Sequence, residues 1–343
     1  MNASLIEIAI GAIVSADGTS GGNWSGGTSY GSGGAGSGGS ILIEACSVSG
    51  AGAVLARGGA SVGGSGAGSG GRVAIKAGAV SWSLGVSAAG GATSSGYTCG
   101  GAAGTVYVVN GTTSSLIFDN SDGRSDSSTC TLFPPELSGV QLSQLSILRK
   151  ACVDVKESVK NNDVRAYLLD IDGSSKMTGD AIVIDTSTAN LRGQITCTSA
   201  LQLHNAQSGV GLVTAYTGSS MTCSSCTLKM SLAGSHVMLQ GTVSASTLEI
   251  KGVERISLAG SLTVNGSELT IAAGSANIGG SVTCSGASCS IRVSVNTTLE
   301  LGGTVRCTSG NCSLSLQSGG DMKCTGGISC SENNQCLVDV ASG

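Results

Sequence analysis

Almost everything that builds an ordinary globular core is scarce in this chain. Its 343 residues include 2 Phe, 2 Trp and 5 Tyr, so aromatic side chains make up only 3% of the whole. A broad interior packed around rings is thereby excluded, and Val, Ile, Leu, Ala and Cys must fill whatever core exists. Charge is equally sparse: 17 basic against 21 acidic residues, a net of -4, leave no basic stripe to follow a phosphate backbone. Nucleic acid is therefore not an expected partner. No run of 18 or more apolar residues is present, which excludes a membrane-spanning helix in this segment. Only His204 and His236 are available as histidine bases, and there is no Gly-x-Ser-x-Gly elbow, phosphate-binding loop or His-Glu-x-x-His motif. The expectation is a protein that is not an enzyme and has no cofactor.

What is present is repetition. Between Gly193 and Cys330 one phrase recurs seven times, with an apolar residue two places after a Gly or Ser and a Cys or small apolar residue two places later. The phrases begin at Gly193, Ser219, Gly241, Gly260, Gly280, Gly303 and Gly320 and end at Cys197, Cys223, Ala245, Val264, Cys284, Cys307 and Cys324. Spacings of 17 to 26 residues are those of a solenoid. Each rung offers three short alternating strands, for example Val282 to Cys284, Ile291 to Val293 and Leu299 to Leu301, with a polar residue facing solvent between each apolar pair. The fold expected is all-β, a right-handed parallel β-helix (β-solenoid) with about three strands per rung.

Glycine is abundant, at 56 residues. In the N-terminal third the period lengthens to 32–37 residues, placing Ile6, Ile43, Ile75 and Val108 at matching positions. Val14-Ser-Ala-Asp-Gly18 recurs as Val54-Leu-Ala-Arg-Gly58 and Val86-Ser-Ala-Ala-Gly90. Between the strands run glycine-rich excursions such as residues 33–39 and 64–71, which cannot form helix cheaply. The favoured reading packs them together as extended polyglycine segments, because only glycine allows such close backbone approach; flexible loops are the alternative. Residues 1–120 are thus read as glycine-rich rungs, 121–190 as irregular decorated rungs containing both prolines, Pro134 and Pro135, and 191–343 as regular rungs. The N-terminal apolar stretch from Ser4 to Val14 contains Glu7 and lacks a basic flank, so it reads as a rung rather than a signal peptide. Repeats running to both ends suggest a segment of a longer protein.

Fourteen cysteines without paired zinc-type spacing point to disulfides and an oxidising compartment. Four pairs recur together, Cys223 with Cys226, Cys284 with Cys289, Cys307 with Cys312 and Cys324 with Cys330, while the rungs carrying Ala245 and Val264 lack both members. Joint absence predicts a staple across one corner of a rung, with axial pairing between rungs as the competing geometry. Cys46 with Cys99 and Cys130 with Cys152 are the remaining candidates, and Cys197 and Cys336 are left without mates. Six glycosylation sequons begin at Asn2, Asn23, Asn110, Asn265, Asn296 and Asn311. Cysteines and sequons together suggest an extracellular, secreted or cell-surface protein carrying glycans.

Polysaccharide-active β-helices need clustered carboxylates with basic partners. Asp163, Asp170, Asp172 and Asp180 lie near Arg165 and Lys176 in sequence, but Asp170-Ile-Asp-Gly173 lacks the later ligands of a calcium loop and reads as a polar turn. Ice binding would need flat Thr-x-Thr ladders, and Thr196-Cys-Thr198 is the only clean instance in the regular rungs.

The segments Gly36 to Ile43 and Gly68 to Ile75, with their Ala-x-Gly-Gly endings, resemble glycine-rich β-helix regions of large extracellular surface-fibre proteins of protists and algae, the mastigoneme-like proteins among them. Ile117-Phe-Asp-Asn120 followed by Thr131-Leu-Phe-Pro134 resembles the passage in such proteins to less glycine-rich rungs. The resemblance covers about the first 150 residues and carries over no catalytic residue. It implies a structural glycoprotein that associates with itself into a filament or cell-surface fibre. An adhesin or carbohydrate-binding rod is the alternative, and a pectin-lyase-like enzyme the second alternative.

Overall fold

The computed structural model describes residues 2–24, 31–62, 65–81, 83–93, 100–121, 129–156, 163–205, 211–286, 288–308, 311–330 and 335–342. It is 65% strand, with one 3-10 turn at Pro135–Leu137 and no α-helix among the described residues. Two compact units form, one from residues 1–132, 142–154 and 170–177, the other from residues 133–141, 155–169 and 178–343.

In the first unit, strands Ser40–Gly50, Arg72–Val80 and Thr105–Asn110 stack in parallel, aligning Ile43 with Ile75 and Ile75 with Val108. Val14, Val54 and Val86 align in a second parallel stack, as their shared phrase predicts. Ile6 departs from the expected alignment. It sits beside Val48, five residues beyond Ile43, because strand Asn2–Ile8 meets the far end of the 11-residue strand Ser40–Gly50. An all-parallel stack also fails at one place, where Thr105–Asn110 and Thr113–Asp119 form an antiparallel hairpin. Asn110-Gly111 is a hairpin-turn signal, and Gly111 takes the left-handed conformation (φ 59°) that the tight reversal uses.

The glycine excursions are packed. Extended segments 16–22, 56–61 and 87–92 run parallel to one another in one layer, and segments 33–39, 65–71 and 100–104 run the opposite way in a second. Backbone donors recur at every third residue. Gly18 and Gly21 donate to Arg57 and Ala60, Gly58 and Ser61 to Ala89 and Ala92, Gly36 and Gly39 to Thr19 and Ala16, and Gly68 and Gly71 to Gly59 and Ala56. A β-strand would repeat at two; three is the period of the polyproline II helix. Bonds thread from layer to layer, from Gly36 to Thr19, Gly59 to Gly36, Gly68 to Gly59 and Gly91 to Gly68, all between 2.8 and 3.0 Å. Glycine is obligatory at this spacing, since a Cβ on Gly59 would overlap the Thr19 carbonyl and one on Gly68 the Gly36 carbonyl.

The second unit contains a β-solenoid of about 8 turns. Its core consists of three inward columns, each two residues wide. The first contains Val243, Leu262, Val282 and Val305 beside Ala245, Val264, Cys284 and Cys307; the second stacks Leu248, Leu269, Ile291 and Leu314; the third stacks Ile256, Ala276 and Leu299. All of these are buried, and none is aromatic. Where three short strands per rung are expected, the middle rungs instead run as single bent strands, Thr242–Leu258 and Ser261–Ile278. Their ladder continues through the corners with register shifts between Ala245 and Thr247 and between Lys251 and Val253. Glycines 241, 260, 280, 303 and 326 stack at one corner, where Gly260, Gly280, Gly303 and Gly326 donate to the carbonyls of Leu239, Leu258, Ile278 and Leu301.

Candidate functional site: the cysteine columns

The first column runs Cys197, Cys223, Ala245, Val264, Cys284, Cys307 and Cys330 in register. Cys289, Cys312 and Cys336 align across the next corner. Disulfides join Cys223 to Cys226, Cys284 to Cys289 and Cys307 to Cys312 within single rungs; the last two tie the end of one strand to the start of the next, and the first spans the register shift inside strand Ser220–Ser231. Cys130 bonds Cys152 in the first unit. Because Thr131 pairs with Val153, that bond joins neighbouring strands of the ladder, the axial geometry.

One expected staple does not fit the register. Met322–Cys324 stacks on Leu299–Leu301 in the third column, so Cys324 lies beneath Leu301, and it forms no disulfide among the described residues. The phrase that continues the first column is Gly326-Gly-Ile-Ser-Cys330, placing Cys330 beneath Cys307. Gly320 occupies a different corner, above which Thr297 donates to Gly274. Two corners of the rung use glycine before an apolar strand, so one phrase serves both and sequence spacing cannot separate them. The side chains of Cys330 and Cys336 lie outside the described residues, as does Cys99, the expected mate of the exposed Cys46.

Cys197, which has no mate in the rung pattern, lies against one of the staples. It is fully enclosed, and its Sγ is 3.4 Å from that of Cys226. Burial, and after it the charge of Asp180, pushes its thiol up to about 12. The sulfurs of Cys197, Cys223 and Cys226 all lie within 4.8 Å of one another, the sole group of three such donors among the described residues.

The other singled-out residues are engaged separately. His204 shares a 3.0 Å hydrogen bond with Gln202, and His236 lies 3.5 Å from Glu254. Arg165 donates to Asp163 at 2.8 Å, and Thr198 donates to Asp180. Asp172 accepts from the Ser174 amide and hydroxyl, both at 3.0 Å, and from the Arg149 amide, so the second half of Asp170-Ile-Asp-Gly173 opens a hydrogen-bonded turn while Asp170 and Ile171 end the strand Asp163–Ile171. Of the sequons, Asn265, Asn296 and Asn311 are exposed, whereas Asn110 is half-buried and accepts from the Val80 amide at 3.0 Å. The side chains of Asn2 and Asn23 lie outside the described residues.

On the outer face of the third column a groove of about 610 Å³ is lined by Leu212, His236, Met238, Arg255, Asn277 and Glu300, among others. Asn277 donates to Glu300 across it at 3.2 Å.

A chain that carries a disulfide-stapled β-solenoid and a packed polyglycine bundle is the class these observations define. No protein-family model, curated protein or solved structure matches it.

Proposed function

We propose that this chain is a non-enzymatic structural segment of an extracellular glycoprotein that assembles rung on rung into a filament or cell-surface fibre. The observation that carries this reading is the register of the core columns, which hold the same kind of small aliphatic side chain from rung to rung. Val338 and Val340 continue the column of Leu314 and Leu316, and Ile328 continues that of Val305. A column that takes nearly the same side chain at each level accepts a further rung, from the same chain or from another copy, and a strand edge templates another strand. Disulfides and the exposed Asn265, Asn296 and Asn311 sequons support the extracellular setting.

The expected result is concentration-dependent linear assembly, seen by sedimentation velocity and negative-stain microscopy of the full-length protein. Monodisperse monomers at every concentration would overturn the reading.

A carbohydrate-binding rod is favoured by one separate observation, the groove that sets Arg255, Asn277 and Glu300 beside Leu212 and Met238. Glycan-array binding abolished by Arg255→Ala would support that reading over a passive scaffold.

A further inference from the structure

The three-cysteine group holds one bond and one thiol. Cys197 and Cys223 occupy the same column position in adjacent rungs, and Cys226 lies across the corner from Cys223 within reach of both. Packing does not require a third cysteine here, because the same column position is filled by Ala245 and Val264 in the next two rungs. The enclosed Cys197 thiol instead faces the Cys226 sulfur of the staple at 3.4 Å, closer than ordinary sulfur–sulfur contact.

We propose that Cys197, Cys223 and Cys226 form a disulfide-exchange site in which one bond moves between a corner staple and an axial staple. In the step, the Cys197 thiolate attacks Sγ of Cys226, the Cys197–Cys226 bond forms and the Cys223–Cys226 bond breaks. Cys223 leaves as thiolate and takes up the proton that Cys197 gave up. One disulfide and one thiol stand on each side, so no oxidant or reductant is consumed.

The product ties neighbouring rungs together, as the Cys130–Cys152 bond already does in the other unit. It replaces a link spanning 3 residues of sequence by one spanning 29. The thiol is held protonated at neutral pH by burial and by the nearby Asp180 carboxylate, so exchange is slow, and each isomer persists long enough to be trapped.

Peptide mapping of the oxidised, full-length protein tests this. Free thiols are capped with N-ethylmaleimide in denaturant at mildly acidic pH, and the chain is cut with trypsin and chymotrypsin. Cleavage after Tyr216 separates Cys197 from Cys223 and Cys226. A fixed corner staple leaves the two peptides unlinked, with maleimide wholly on Cys197. The exchange site gives a second, linked species with maleimide on Cys223, and its share grows on incubation with a catalytic small thiol. In Cys223→Ser the Cys197–Cys226 link is expected to form throughout, the Cys284–Cys289 bond in the same digest reporting that the rungs are folded. Complete labelling of Cys197 in the wild type after incubation overturns the proposal, whatever the variant does. So does recovery of all three thiols reduced with a stoichiometric metal ion.

Discussion

Arg149 and Lys150 take consecutive left-handed backbone conformations, φ 50° and 67°, between strands Gln141–Leu148 and Cys152–Val155. Non-glycine residues rarely adopt this region, because Cβ crowds the following carbonyl. The turn closes through the Ala151 amide on the Leu148 carbonyl at 3.2 Å. It is braced from outside, as Asp172 accepts the Arg149 amide and Ser174 Oγ accepts the Lys150 amide at 3.0 Å. Arg149 also grips Asp119, with Nε 2.8 Å from Oδ1. Lys150→Gly and Lys150→Ala both keep the backbone amide and lose the side chain, but only the alanine keeps a Cβ at φ 67°, so the glycine variant is expected to be the more stable of the two by about 0.5–1 kcal/mol in urea titrations. Asp172 has an acid-sensitive role in the same turn. Burial pushes its carboxyl up, but the nearby Ser175 hydroxyl and hydrogen bonds from the Arg149 amide and Ser174 outweigh this and hold it below the usual carboxylate value. Its folded-state pKa is thus below the unfolded one, so its contribution is complete above about pH 4 and disappears as pH falls through the folded value. Asp172→Asn is expected to flatten the acid limb of a stability-versus-pH curve while leaving its neutral-pH slope unchanged. The sequence made the turn legible, since Asp-x-Ser is a local signal. It did not reveal the Arg149 amide, a partner 23 residues away that depends on register.

At the scale of the elements, the glycine segments make a position-specific prediction. Gly68→Ala would drive a methyl into the Gly36 carbonyl of a neighbouring segment, and a backbone atom cannot step aside. A cost of about 3 kcal/mol is expected, seen as loss of amide protection in the first unit. Gly66 lies in the same segment with nothing within 4 Å of its would-be Cβ, and Gly66→Ala is expected to change stability by less than about 0.5 kcal/mol. Flexible loops would tolerate both changes. The staples are a second test. Removing the Cys307–Cys312 bond by paired alanine substitution frees a loop of sequence separation 5, worth about 2 kcal/mol on chain-entropy grounds. Because Cys330 and Cys336 stand at the register positions below Cys307 and Cys312, peptide mapping is expected to recover them as the next pair, with Cys324 unpaired. The joint appearance of paired cysteines was legible because it tracks the rung. Which phrase belongs to which column was not, since Gly320 and Gly326 precede nearly identical strands at different corners. The threefold spacing of the glycine segments was also hidden, because residues between the contacts are themselves glycine, alanine or serine and print no period.

For the molecule as a whole, the scarcity of aromatics and charge follows from the geometry of its columns. A column must accept nearly the same small aliphatic side chain at every rung, and a ring or an ion at one level would have to be answered at the levels above and below. The consequence is that each level depends on the levels beside it. Ile291→Lys, at a position 1% exposed between Leu269 and Leu314 in the second column, would bury an unpaired charge. It is expected to cost about 4 kcal/mol and to strip amide protection from the rungs on both sides. Arg292 is exposed on the same strand, and Arg292→Ser is expected to change stability by less than about 0.5 kcal/mol. Equal tolerance of both changes in urea titrations would mean that the columns are not what holds the rungs together.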